Sequence, residues 1–243
     1  MNATLPRFLV AAFALAFAIG ARAETIRGSG HVVSEERAVT GFDAIDLALA
    51  AHVEIVQDGA ERLLLTVDDN VAPYVETQVR GGTLVVRGRE GADLRPTGLA
   101  RVVVHVRALR SVALAGSADL RIPMLRAARF ALDVGGSGDV QVGVLQARDF
   151  SARVGGSGRV SVAGDVDRLE VAISGTGTVA AARLRAQRAS VSISGSGRAT
   201  TWPRDALEAR IEGVGEIRYY GDPVVDKRIA GVGSVTRMGA APG

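Results

Sequence analysis

A short glycine motif returns along the second half of this chain at an almost fixed interval, and no other feature constrains the fold as strongly. Gly-x-Gly, or a close relative, stands at Gly116-Ser117-Ala118, Gly136-Ser137-Gly138, Gly156-Ser157-Gly158, Gly175-Thr176-Gly177, Gly195-Ser196-Gly197, Gly213-Val214-Gly215 and Gly231-Val232-Gly233, spaced by 20, 20, 19, 20, 18 and 18 residues. A period near twenty residues marks a stacked repeat, in which one unit is too small to bury its own apolar face and depends on its neighbours. These corners hold thirteen of the chain's 30 glycines. Glycine serves at such a corner either because a tight turn needs positive φ or because stacked backbones leave no room for a Cβ.

The residues around each corner alternate with period two. Two positions before the first glycine stand Leu114, Val134, Val154, Ile173, Ile193, Ile211 and Ile229; four before stand Val112, Leu132, Ala152, Val171, Val191, Ala209 and then Lys227. Four positions after it come Leu120, Val140, Val160, Val179, Ala199, Ile217 and Val235. Between them lie polar residues such as Ser151, Glu170, Ser190, Glu208, Arg153 and Arg210. This alternation predicts strands with one buried face on both sides of a glycine corner. The expected fold is all-β: a right-handed parallel β-helix or solenoid of about seven coils over residues 109–243, its coils about 4.8 Å apart. A left-handed hexapeptide helix also has coils near 18 residues, but its six-residue sub-period is absent.

Residues 24–108 read differently, as a β-rich cap continuous with the solenoid. His52 to Val56 and Leu63 to Val67 flank Asp58-Gly59, and Leu84-Val85-Val86 follows Gly81-Gly82, both hairpin-like patterns. A short helix or irregular turn, limited by Pro73, is expected within Asn70 to Arg80, and a strand over Arg101 to Arg107 with Val102, Val104 and Val106 on one face. Such a cap covers a strand edge that would otherwise invite aggregation. At the other end Tyr219-Tyr220, Lys227 and Arg237 interrupt the aliphatic columns as candidate guards.

Residues 1–23 have the form of a secretory signal peptide: Arg7, a twelve-residue apolar stretch from Phe8 to Ile19, and the small-x-small site Ala21-Arg22-Ala23. Twelve helical residues span about 18 Å, short of the roughly 30 Å hydrocarbon core. The mature chain holds no comparable apolar run, so no transmembrane segment is expected, and the protein is placed outside the cytoplasm: periplasm, cell surface or extracellular medium. The absence of cysteine removes disulfides, thiolate metal sites and cysteine nucleophiles, and leaves stability to packing.

Composition narrows the function. The formal net charge is only +3 and the chain has one lysine, Lys227, so there is no basic stripe for nucleic acid. Aromatics are 4% of residues, a poor supply for stacking on bases or sugars. Gly135-Gly136-Ser137-Gly138-Asp139 is superficially like a calcium nonapeptide, but its acid follows the glycine directly and the equivalent later positions are Arg159, Thr178, Arg198 and Glu216, which form no oxygen cage. Asp68-Asp69-Asn70 reads as an exposed turn or helix cap, and the Gly-x-Gly units lie between strands, not at helix starts that cradle phosphate. No Gly-x-Ser-x-Gly elbow is present; His52 with Glu54, and His105, read as solvated strand-face residues. Acid pairs such as Asp43/Asp46 and Asp165/Asp167 are the only foothold for glycosidic chemistry. No catalytic residue, cofactor or metal site is assigned.

The repeated hydroxyls Ser117, Ser137, Ser157, Thr176 and Ser196 are the candidate binding surface, expected to line up along one edge. Stacked hydroxyls bond to backbone or to one another, and the same regular array offers contacts to a polysaccharide or an envelope protein.

An ordered set of motifs resembles a known family. Glu36-Arg37-Ala38-Val39-Thr40-Gly41-Phe42-Asp43-Ala44-Ile45, Asp68-Asp69-Asn70, Gly82-Thr83-Leu84-Val85-Val86, the serial Gly-Ser-Gly corners and Tyr219-Tyr220-Gly221-Asp222-Pro223 resemble the bacterial secreted auto-transporter adhesins with a head GIN domain, a family of unknown function. The resemblance implies a β-helix-like fold, an envelope location and adhesion. Residues and resemblance together lead to a secreted, non-enzymatic binding or adhesion module that uses an extended solenoid surface, with homo-oligomerisation left open. The alternatives are a polysaccharide lyase or hydrolase built on a β-helix, and a periplasmic structural or stress-related factor; fold alone does not choose among them.

Overall fold

The computed structural model describes residues 24–241. The signal peptide expected over residues 1–23 lies outside the described residues. Strands account for 71% of the described residues. In the N-terminal region they are β1 (Glu24–Arg27), β2 (Val32–Arg37), β3 (Ala44–Ala48), β4 (Ala51–Gln57), β5 (Arg62–Asp68), β6 (Val75–Arg80), β7 (Thr83–Gly88), β8 (Ala92–Arg95) and β9 (Ala100–Val106). The repeats then give β10 (Ser111–Leu114), β11 (Asp119–Val134), β12 (Asp139–Val154), β13 (Arg159–Ile173), β14 (Thr178–Ile193), β15 (Arg198–Ile211), β16 (Val214–Tyr220), β17 (Val224–Ile229) and β18 (Val232–Gly239).

The fold is a parallel β-solenoid of about six turns, one fewer than the seven coils expected from the sequence. The difference is geometric: seven corners bound six intervals, and the chain beyond the last corner adds only β18. From β11 to β15 each turn is nearly one continuous strand, broken only at the glycine corner, and each pairs in parallel with the next. The uneven repeat lengths are absorbed away from the corners. The 19-residue repeat is accommodated where register shifts between Val142 and Leu145, beside Gly164, whose φ of +128° suits only glycine and whose Cβ would sit 2.0 Å from the Leu145 carbonyl.

The corners themselves carry the stacking. None of their glycines has positive φ, so of the two reasons for glycine, close approach is the operative one. A Cβ on Gly136 would stand 1.8 Å from the Gly116 carbonyl oxygen, on Gly156 1.9 Å from that of Gly136, and on Gly175, Gly195 and Gly231 2.1 Å from the oxygen one coil below. The second glycines meet both backbone and side chains: a Cβ on Gly138 would lie 1.7 Å from the Ala118 carbonyl oxygen, one on Gly177 2.4 Å from Val154 Cγ1 and one on Gly197 2.5 Å from Ile173 Cγ2. Backbone bonds therefore cross the corner from coil to coil, with Ser157 N–H donating to Gly136 O (3.2 Å), Thr176 N–H to Gly156 O (3.1 Å) and Ser196 N–H to Gly175 O (3.0 Å).

The inward columns are buried as the alternation requires. Val112, Leu132, Ala152, Val171, Val191 and Ala209 are all within 1% of full burial, and the Leu114-to-Ile211 and Leu120-to-Ile217 columns within 2%. A further column, Phe130, Phe150, Leu169, Ala189 and Leu207, follows from the register; its two phenylalanines stack with centroids 5.6 Å apart and planes 8° apart. At the C-terminal end the columns reach Lys227 and Arg237, which pair in register with buried Ala209 and half-buried Tyr219. Both are exposed because no coil covers them, and inward-pointing charge on a last strand blunts edge association.

Apart from β1 and β8, which pair only with each other, the N-terminal strands continue the main sheet. β3 pairs in parallel with β10 on one side and β7 on the other, and β4 pairs with β11 and β9. The coil made by β3 and β4 is thus sandwiched between the later β7/β9 coil and the repeats. β5 and β2 add antiparallel strands beyond β9, and β6 one beyond β7. β6 and β7 form a hairpin through Gly81-Gly82, both with positive φ, as a two-residue turn demands. The β4/β5 pair expected to form a hairpin around Asp58-Gly59 does not: β9 lies between them, parallel to β4 and antiparallel to β5. Its Val102, Val104 and Val106 are fully buried, a two-sided pairing that local sequence cannot reveal. The segment expected to hold a short helix or turn holds one 3-10 turn, Ala72–Tyr74, followed by β6.

Asp68, expected in an exposed turn, is 1% exposed. Its carboxylate accepts hydrogen bonds from Thr97 N–H (2.9 Å), Thr97 Oγ1 (2.8 Å) and Gly30 N–H (2.8 Å). It thereby ties the loop after β1 and the loop after β8 to the end of β5. These bonds, led by the Thr97 hydroxyl, hold its carboxyl below the ordinary value of 3.8.

Two outcomes are expected. Gly156→Ala should lower stability to urea by about 2 kcal/mol or more, in the upper range for overpacking, whereas Gly155→Ala, whose Cβ would meet only Ser174 Oγ at 3.7 Å, should change it by less than about 1 kcal/mol; equal effects would contradict close approach as the reason for the motif. A carboxyl whose folded pKa is depressed stabilises above its unfolded value and loses that contribution as pH falls through the folded value. Asp68→Asn should therefore be less stable than the parent at neutral pH, and the gap in urea midpoint should narrow as pH falls below 3.8; a pH-independent gap would show that ionisation of Asp68 contributes nothing.

Candidate functional site

The five candidate hydroxyls follow one another along the stacked corners. Ser117, Ser137, Ser157, Thr176 and Ser196 occupy the tips of successive corners, and all are exposed. Their line is fixed by the glycines on either side, which force neighbouring backbones into contact. Ser157 Oγ and Thr176 Oγ1 share a hydrogen bond of 2.9 Å, so part of the hydroxyl capacity is used within the ridge itself. The ridge continues into Val214 and Val232, 59% and 75% exposed.

The face leading up to the ridge carries a more differentiated surface. Three outward columns run along it in register. Arg129, Asp149, Arg168 and Arg188 form the far rim; Ala131, Ser151, Glu170, Ser190 and Glu208 form the floor; Asp133, Arg153, Ala172, Ser192 and Arg210 form the near rim. Arginines on the far rim, Arg153 and Arg210 on the near rim, and the short side chains of Ala131, Ser151 and Ser190 on the floor leave a shallow trough. Two adjoining hollows of about 430 Å³ and 490 Å³ share Arg168 and Glu170.

Charges in the trough are cross-linked between coils. Arg168 Nη1 lies 3.0 Å and Arg129 Nε 3.5 Å from Asp149, and Arg153 stands 3.9 Å from Asp133 and 3.5 Å from Glu170. Most of these side chains are half exposed, so each pair contributes about 0–1 kcal/mol to stability. The Asp149 pairs run along the far rim, and Arg153 reaches from the near rim to the floor carboxylate of Glu170. The Ser151 hydroxyl is enclosed at the floor and has no hydrogen-bond partner among the described residues.

Past the ridge, the face on the other side begins with a cleft of about 340 Å³ lined by His52, Glu54, Arg101, Asp119, Arg121 and Asp139, among others. Asp119 and Asp139 are stacked on successive coils, and Asp139 N–H donates to Asp119 Oδ1 at 3.2 Å. His52 Nδ1 lies 3.4 Å from Asp119 Oδ2, with the two side chains 54% and 52% exposed. His52 thus finds its partner across the coils as a solvated pair. His105 is more enclosed: its Nδ1 lies 2.7 Å from Asp58 Oδ2, and this bond holds the Asp58 carboxyl below its ordinary value. Among the described residues no three His, Cys, Asp or Glu side chains converge as a metal site, and no helix is long and apolar enough to cross a membrane.

Sequence reasoning recognised the outward positions Ser151, Glu170, Arg153 and Arg210 as solvent-facing but not as two sides of a trough. The signal that brings them together is the register, which depends on where the repeat gains or loses a residue.

Comparison with known proteins places this geometry in context. Curated proteins offer no match. Among solved structures, a protein described as a "putative adhesin" from Bacteroides fragilis NCTC 9343 has a TM-score of 0.85 at 22% identity, covering 88% of this chain and 100% of that one. A "putative lipid binding protein" from Parabacteroides distasonis ATCC 8503 has a TM-score of 0.73 at 30% identity, with the same coverage. A "putative adhesin" from Parabacteroides merdae ATCC 43184 has a TM-score of 0.73 at 24% identity, covering 89% of this chain and all of that one. The family profile "Putative auto-transporter adhesin, head GIN domain" matches residues 41–223, from the loop before β3 through Pro223 just before β17, and the chain belongs to that family.

Proposed function

We propose that this protein is an exported, non-enzymatic binding module of the bacterial envelope that holds an extended anionic polymer along the side of its solenoid. The observation that carries this reading is the trough, lined by Arg129, Arg153, Arg168, Arg188 and Arg210, whose five guanidinium groups outnumber the four carboxylates of Asp133, Asp149, Glu170 and Glu208 in the same columns. Its repeat matches the coil spacing of about 4.8 Å, so recognition is spread over many weak polar contacts instead of one deep pocket. Guanidinium groups suit carboxylate ligands because of their planar, forked donors, and the scarcity of aromatics turns the preference from neutral sugars toward charged ones. The ridge of Ser117, Ser137, Ser157, Thr176 and Ser196 borders the trough and supplies further hydroxyl contacts. Membership of an adhesin family supports both binding and an exported location.

The test uses the mature chain and polygalacturonate as a soluble polyuronate, with dextran as the neutral control. Polygalacturonate is expected to bind and dextran not. Arg153→Ser together with Arg168→Ser should weaken binding about tenfold or more, in line with the loss of charge-assisted bonds, and rising salt should weaken it further. Release of new reducing ends would contradict a non-enzymatic role. Equal binding of both polymers, or binding insensitive to the two arginines, would contradict the trough as the site.

A further inference from the structure

A solenoid has two ends, and here both are open sheet edges. β18 pairs only with β16 and β17 only with β15, while at the other end β2 pairs only with β5 and β6 only with β7. Each edge presents backbone N–H and C=O groups that no neighbouring strand takes up, a template for a further strand. Large apolar side chains stand exposed at the same places: Val32 on β2, Val224 and Ile229 on β17, and Val232 and Met238 on β18. Terminal repeats of stacked folds usually turn a polar face outward; the last coil here keeps an apolar one in view.

The accessible charges on the core side of these edges differ in sign. At the C-terminal end they are Lys227 and Arg237, in register with Ala209 and Tyr219. Arg237 lies 3.6 Å from Asp222, which is itself exposed. On β2 the core-side residues are Val33, Glu35 and Arg37, in register with the buried Val67, Leu65 and Leu63 of β5. Arg37 is taken up by the carbonyl oxygens of Ala72 and Val75 and leaves 18% of its side chain exposed, against 46% for Glu35, 3.2 Å away. The basic charges that blunt pairing between two C-terminal ends therefore favour pairing with the acidic edge at the other end.

Strand direction agrees with such a contact. The sheet runs parallel from β18 through β16 and β15 back to β11, β4 and β9, and the two reversals from β9 to β5 and from β5 to β2 leave β2 pointing the same way as β18. A second copy on the same axis and in the same orientation thus offers β2 as a parallel neighbour for β18. Because side chains alternate with period two, core-facing residues must meet core-facing residues. The register that sets Arg237 beside Glu35 of the next copy also sets Val235 beside Val33 and Thr236 beside Ser34. A slip of two residues in one direction would set Arg237 beside Arg37, and in the other beside Val33. β2 projects one strand beyond β6, so this wall of the solenoid makes the contact.

We propose that the mature chain associates head to tail with copies of itself, the β18 edge of one copy adding to the β2 edge of the next by strand augmentation. The contact is heterologous and runs along the solenoid axis, so it builds an open filament instead of closing into a dimer. It uses the ends of the solenoid and does not depend on what the trough holds.

Sedimentation velocity of the mature chain over a rising concentration series tests this. The mean mass should climb past that of a dimer without a plateau, and added salt should lower it. Arg237→Glu and Glu35→Lys, both at exposed positions, should each weaken association about tenfold or more, because like charges then face each other across the contact. An equimolar mixture of the two variants should associate again: the acid introduced at 237 meets the lysine introduced at 35, and the unaltered Arg237 and Glu35 meet at the next contact. That recovery also shows that both variants are folded. A chain that stays monomeric at every concentration, a mass that levels off at the dimer, either variant alone assembling like the parent, or a mixture that fails to recover would each overturn the proposal.

Discussion

The structure depends on how closely one glycine corner lies on the next. At Gly136, Gly156, Gly175, Gly195 and Gly231 the space a Cβ would need is already held by a carbonyl group of the coil below, at 1.8 to 2.1 Å. That proximity lets hydrogen bonds run through the corner without a gap, so each coil is joined to the next around most of its circumference. It also fixes rotation: with the corners superposed, inward columns meet inward columns and outward columns form continuous rows. The aliphatic core, the hydroxyl ridge and the trough are all consequences of that superposition. A loop with one bulky residue at this place would push two coils apart and leave polar backbone unpaired.

The ends are governed by the same constraint in its absence. At the C-terminal end nothing lies on the last coil, and Lys227 and Arg237 occupy positions that one coil earlier hold Ala209 and Tyr219. At the N-terminal end the β7/β9 coil gives up its tight corner for the β8 excursion between them, and an apolar cleft opens where glycines would have met. The loops there are gathered by Asp68, which reaches Gly30 and Thr97 at once. Gly28 lies so close to this node that a Cβ would come within 2.5 Å of the Asp68 carboxylate. The protein thus combines a regular middle with one irregular end.

Much of this was legible in the residues. The period of the glycines and the alternation around Val134, Val154 and Ile173 specify a stacked β-fold, the buried faces and the line of Ser117, Ser137, Ser157, Thr176 and Ser196. The turn count differs because corners mark the boundaries of turns, not the turns themselves. What stayed hidden depends on long-range pairing. Nothing local shows that β9 inserts between β4 and β5, that Asp68 is buried by loops some thirty and forty residues away, or that Arg153 and Arg168 flank one floor. The glycine role was legible as two physical alternatives, and only the dihedral angles with the inter-coil distances select close approach over positive φ.

Hydrogen exchange at the corner amides tests the central claim most directly. If stacked corners are sealed by coil-to-coil bonds, the amides of Ser157, Thr176 and Ser196 should exchange only through large-scale unfolding, with opening free energies close to the global stability. They should do so even though their side chains are exposed to solvent. Exchange of these amides at rates typical of surface loops, while the inward strands remain protected, would contradict the account: the coils would then be held by their aliphatic columns alone, with the glycine corners acting as loose connections.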